Sequence, residues 1–277
     1  MSDQNTLAEN SGKEMSFFDH LDELRSHLKR SALVTVSIAI LVFLSGDFIF
    51  THFIYGPTKP NFLSYRFMCW FSNIVGLGDR ICMTPPAFEF DTKDMGETFF
   101  VHIKTSFILG LAAAFPFVFR EIWLFVKPGL HEHESKSAQG VVGVASGLFL
   151  FGVLFGYFVI APFAVKFLIG YEIAGVTNDS PTLASYVNYL LVFMIPTGIV
   201  FQLPLVVFYL AKIGLITDVF MRTYRRHAFL FIIVLAAIIT PPDVVTQFLI
   251  AVPIYGLYEV SIGIAERQGK KYQESLK

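Results

Sequence analysis

Between Lys136 and Lys166 the chain runs for 29 residues without a charged side chain. As a helix rising 1.5 Å per residue, such a segment is longer than the roughly 30 Å of hydrocarbon in a bilayer. Uncharged or nearly uncharged runs recur at 31–55, broken by Asp47, and at 99–119, broken by Lys104. Others span 180–211, 228–242 and 244–258. A water-soluble globule cannot bury this many apolar segments behind so few charges. Only 16% of the residues are charged, where a soluble domain has about 25%. With 21 Lys+Arg against 22 Asp+Glu, a basic nucleic-acid-binding protein is also excluded.

The predicted fold is therefore all-α: a polytopic integral membrane protein with six transmembrane helices. Pro116, Pro162, Pro196, Pro204 and Pro253 lie in or at the ends of spans and can kink them, so the bundle is expected to be bent and concave. Gly143, Gly147, Gly152 and Gly156 predict a close-packing face on span three. The last two runs hold 15 residues each, about 22 Å of helix. They flank Thr240-Pro241-Pro242-Asp243, a turn signal, and read as a hairpin shorter than the bilayer is thick. A single re-entrant segment is the alternative. No internal repeat divides the chain into two halves.

Orientation follows from Lys and Arg. Six spans with the N-terminus inside put 15 of these residues in inside segments and five outside: Lys59, Arg66, Arg80, Lys93 and Lys166. Lys104 lies near the outer end of span two and can snorkel. Both termini are then cytoplasmic. Residues 1–30 are polar and carry no cleavable signal pattern, so the first span is expected to remain as an anchor. Residues 1–15 are expected to be disordered and 267–277 to form a polar tail.

Residues 16–30 predict an amphipathic helix at the inner interface. Ser16 and Asp19 form its capping start, and Phe17, Leu21, Leu24 and Leu28 its apolar stripe. Asp19, Asp22 and Glu23 share another face, either a solvated acidic surface or one awaiting a cationic partner. In the first inside loop, His131, Glu132, His133 and Glu134 alternate without the spacing of a closed metal site, so no metal and no cofactor is expected. Phosphate-binding, nucleophile-elbow and zinc-protease motifs are all missing from the sequence, which argues against an enzyme. Gln202 is the notable deep polar group; an interhelical hydrogen bond accounts for it without further function.

The first outer loop, about residues 56 to 97, contains the chain's two cysteines, Cys69 and Cys82. An oxidising outer compartment favours a disulfide between them. Two thiols packed against Trp70 are the other reading.

His20-Leu21-Asp22-Glu23-Leu24-Arg25 resembles the opening motif of the TatC family, the large subunits of twin-arginine protein translocases. Pro116 followed by Trp123, Phe125, Pro128, Gly129, Leu130 and His133-Glu134 is similar to a second family signature. Thr240-Pro241-Pro242-Asp243-Val244 with Gln247 is similar to a third. The likeness extends over about residues 16–266. It implies binding of the twin-arginine signal peptides of folded cargo, and gathering of small single-span partners and further copies. It also implies transport driven by the proton-motive force, in a bacterial cytoplasmic membrane. By position, Glu23 and Glu134 would face the signal arginines, with Arg25, Phe125 and Leu130 beside them. Pro57, Pro116, Asp243 and Gln247 would be structural. Gln202 stands where the family often has Glu; it cannot titrate, which leaves it partner contact rather than proton transfer. A small-solute secondary transporter is the competing reading.

Overall fold

The computed structural model describes residues 17–74, 82, 89–126, 138–172, 180–240 and 244–275. The helices in chain order are α1 (Phe17–Leu44), α2 (Gly46–Phe48), α3 (Leu63–Ile74), α4 (Glu97–Val126) and α5 (Ala138–Phe155). They continue with α6 (Ala161–Gly170), α7 (Leu183–Val200), α8 (Leu203–Lys212), α9 (Asp218–Thr223), α10 (Arg225–Ile239) and α11 (Val244–Ser275). Among the described residues the only β-type pairing is one bridge, between Asp91 and Thr182.

Among the described residues five segments are long and apolar enough to cross a membrane: Leu21–Leu44, Glu97–Phe125, Gly140–Gly170, Leu183–Lys212 and Thr246–Lys270. α10, with 15 residues, is shorter than these. It pairs with α11, as the hairpin reading expects. α11 itself does not stop near Tyr258. It continues to Ser275, because Glu266 pairs with Lys270 one turn on, at 2.9 Å, and with Arg222 of α9 at 3.0 Å. Arg225 likewise reaches Glu259 at 2.7 Å. The predicted interfacial helix 16–30 is not separate either. It is the first part of α1, which passes Ser31 without a break. The apolar stripe of 17–28 simply continues into the apolar run, and neither Gly nor Pro intervenes to stop it. Ser16 lies outside the described residues.

The helices associate through small residues. A Cβ on Gly110 of α4 would meet the Ala39 backbone of α1 at 2.6 Å, and one on Gly152 of α5 would meet Gly198 of α7 at 2.8 Å. Gly156 abuts the Phe193 carbonyl. The expected four-glycine packing face is only half correct: Gly143 and Gly147 face open space. The glycine contacts with α7 fall in the second half of this span, at Gly152 and Gly156.

Two π-helical segments, Ile49–Ile54 and Gly156–Ile160, interrupt the long helices. A π turn displaces the regular backbone ladder and leaves carbonyls to be satisfied elsewhere. Here hydroxyls do so. Tyr157 donates to Phe53 O at 2.6 Å and Tyr186 to Ile54 O at 2.7 Å, while Tyr65 donates to Pro57 O of the following turn at 2.8 Å. Ser64 donates to Phe158 O. Burial pushes the Tyr65 phenol above its ordinary pKa, so it remains a donor. Pro57 is buried within this arrangement, in a 3-10 turn.

At the same end Glu97 binds the first turn of α7. Its Oε1 accepts from Ala184 N and its Oε2 from Lys93 N, both at 2.9 Å. Thr182 caps α7, so this helix starts at Leu183. α7 ends at Val200, and α8 starts at Leu203 after a two-residue turn, with Pro204 in its first turn.

Candidate functional site

Because α1 and α4 pack antiparallel, the N-terminal end of α1 meets the C-terminal end of α4. There Glu121 of α4 is buried, at 3% exposure. Its Oε2 lies 2.7 Å from Nδ1 of His27, and its Oε1 lies 3.7 Å from the largely exposed Arg120 guanidinium. The other His27 nitrogen, Nε2, is 4.0 Å from Glu23 Oε1, one turn earlier on α1. The His27 ring meets Phe125 edge-on, with centroids 6.5 Å apart. Trp123 leans on Tyr209 of α8 at 4.9 Å, tying this end of α4 to the second half of the bundle.

Glu23, His27, Glu121 and Phe125 thus form one cluster: two carboxylates with an imidazole between them and an aromatic edge alongside. A carboxylate beside a partly dry aromatic surface is suited to accept paired hydrogen bonds from a guanidinium. Arg25 is exposed on the same helix and outside this cluster. Leu130 and Glu134 lie outside the described residues, which resume at Ala138 after α4 ends. Glu121 and His27 escaped the sequence reading. The signal available was an acid among apolar neighbours on α4 and a histidine one turn after Glu23 on α1, but nothing in either segment says that they face each other.

The other singled-out residues are dispersed. Gln202 occupies the turn between α7 and α8. Its Nε2 donates to Ala145 O of α5 at 3.1 Å, and its buried Oε1 accepts no hydrogen bond among the described residues. Gln247 Nε2 donates to Ile233 O at 3.2 Å, joining α11 to α10. Pro116 lies inside α4. Asp243 falls outside the described residues. Cys69 and Cys82 are joined by a disulfide with Cα atoms 4.3 Å apart. Lys104 donates to Asn188 Oδ1, and Asp47 is exposed. His102, overlooked among the ionisable groups of span two, stacks on Phe43 at 4.1 Å. Among the described residues no three His, Cys, Asp or Glu side chains are arranged to hold a metal.

The bundle and its acidic end define a polytopic, all-α membrane protein with its polar cluster at one end of the helices. Comparison with known proteins is more specific. The sequence profile of the family described as Sec-independent protein translocase protein (TatC) matches residues 19–253. The TatC of Blattabacterium sp. subsp. Periplaneta americana is 32% identical, over 95% of this chain and 99% of its own. That of Helicobacter pylori strain 26695 is 35% identical, over 89% of this chain and 86% of its own. A crystal structure of the twin-arginine translocase receptor TatC superposes with a TM-score of 0.68 at 28% identity, covering 90% of this chain and 99% of that one. The chain belongs to the TatC family, the membrane-spanning Sec-independent protein translocase proteins.

Proposed function

We propose that this protein recognises the twin-arginine signal peptides of folded cargo at the α1–α4 end. The observation that carries the reading is the Glu23–His27–Glu121 cluster beside Phe125. It provides acidic acceptors at the point where α4 leads into the segment bearing Leu130 and Glu134. Two neighbouring guanidinium groups need such acceptors, and the second acid, Glu134, is close in sequence. Arg25 helps to position the peptide backbone or its acidic flank.

In this reading the acidic end faces the cytoplasm. That orientation is supported by 15 of the 21 Lys and Arg residues belonging to inside segments in the six-span count. Both termini are then inside, in a bacterial cytoplasmic membrane. Gln202, with a buried acceptor at a helix break, serves contact with small single-span partners. Together with further copies of this chain they form the complex that moves cargo at the expense of the proton-motive force.

The test is binding of a twin-arginine peptide to the purified protein in lipid nanodiscs. Glu23→Ala and Glu134→Ala should each weaken it by roughly tenfold to a hundredfold, the loss of a charge-assisted hydrogen bond. A Lys-Lys peptide should bind the parent protein correspondingly less well. Equal affinity for both peptides, with both variants unaltered, would falsify the assignment.

A further inference from the structure

α3 follows the first span after a short turn, at the end opposite the acidic cluster. One side of it is fixed to the protein: Phe62, Tyr65 and Ser72 are buried, and Phe62 stacks on Phe158 at 5.4 Å. The other side is open. Leu63, Phe67, Trp70 and Ile74 recur at steps of four, three and four, and each is between 58% and 63% exposed. Exposed Arg66 and Asn73 flank this stripe on one side. Large apolar side chains in such a row do not face water without a partner.

We propose that the partner is the bilayer itself: α3 lies in the lipid interface opposite the acidic end, with Leu63, Phe67, Trp70 and Ile74 against acyl chains and Arg66 at the phosphate level. Three observations favour lipid over a protein occupant. The first is depth. α3 lies beside Phe158 and Phe163, and the third membrane-crossing segment continues from Phe163 to Gly170, about 10 Å further. The helix therefore sits alongside a membrane-crossing segment rather than above it. The second is continuity. An apolar recess of about 400 Å³ runs from Leu63 and Phe67 to Leu249 in the second turn of α11, next to the exposed Phe248. The stripe thus merges with the lipid-facing surface of the bundle at the start of α11. The third is composition. A Trp with a neighbouring Arg on an amphipathic helix is the pattern of an interfacial anchor. The inference is independent of signal-peptide recognition.

The protein has two tryptophans, Trp70 and Trp123, so Trp123→Phe leaves a single reporter on α3. The full-length variant is reconstituted in phosphatidylcholine–phosphatidylglycerol vesicles. Trp70 emission is then quenched by lipids brominated at shallow or deep acyl positions, or by aqueous iodide. For an apolar face about 5–10 Å into the interface, shallow bromines should quench about twofold more than deep ones, with iodide well below its effect on free tryptophan. Iodide quenching equal to that of free tryptophan places the stripe in water and overturns the proposal. So does insensitivity to every quencher, which signals a second copy or a partner protein over the stripe. Stronger quenching by deep than by shallow bromines overturns the interfacial placement. If Trp123→Phe does not accumulate, the parent signal minus that of Trp70→Phe gives the same reading.

Discussion

At the residue scale, His27 links a buried carboxylate to a partly exposed one. Glu121, almost without solvent, depends on the 2.7 Å contact with His27 for its main polar partner. In His27→Leu that carboxylate loses its hydrogen bond while staying buried, which should cost about 1.5–3 kcal/mol in stability. Replacing both residues removes the charge together with its partner. The double variant His27→Leu, Glu121→Leu should therefore be less destabilised than the two single losses added together. Denaturant unfolding of the four proteins in detergent measures this; strictly additive losses would show that the pair is not coupled. Glycines offer a second contrast. Ala at Gly110 or Gly156 has to displace backbone of a neighbouring helix, so both substitutions should lower the unfolding midpoint. Ala at Gly143 or Gly147 meets nothing within 4 Å and should be neutral, or stabilising by about 0.5–1 kcal/mol through helix propensity.

At the element scale, the π segments and the tyrosines that satisfy them hold the far end of the bundle together. Tyr186→Phe keeps the ring but strands the Ile54 carbonyl in a buried site, a loss of roughly 1–3 kcal/mol. The expected result is a lower unfolding midpoint with unchanged helix content by circular dichroism. The Cys69–Cys82 link closes a short loop onto α3, worth about 3 kcal/mol on a chain-entropy estimate. Denatured protein from oxidised membranes should show no free thiol before reduction and two after it. The spans were legible because charge is so costly in hydrocarbon that its absence marks each crossing. The breaks were not. A π turn carries no composition signal at Ile49–Ile54. Glu23 was singled out by its motif, whereas Glu121 and His27 joined the candidate site only once two distant segments lay side by side.

At the scale of the whole molecule, the helices differ in length by more than the bilayer can ignore. Gly140–Gly170 and Leu183–Lys212 have 31 and 30 residues, and tilting lets such segments fit almost any membrane. α10 has 15 residues, about 22 Å, and tilting only shortens its reach. Gln247 bonds α11 to α10, and Arg225 at the start of α10 is held by Glu259, so the hairpin cannot slide to lengthen itself. If α10 crosses as the sixth span expected from the sequence, membrane near it must thin, at a cost of fractions of a kcal/mol per ångström of mismatch. Against about 30 Å of hydrocarbon the shortfall is roughly 8 Å, enough for a penalty of a few kcal/mol. The protein should therefore be most stable in thin bilayers. Reconstituted into phosphatidylcholines whose monounsaturated chains lengthen from 14 to 22 carbons (about one step in thickness per two carbons), its unfolding temperature should fall as the chains grow. A protein limited by its long helices would behave oppositely, gaining stability as thicker lipid relieved their tilt. A rise in unfolding temperature across the series would thus remove the short hairpin as the element that sets the fit to the membrane.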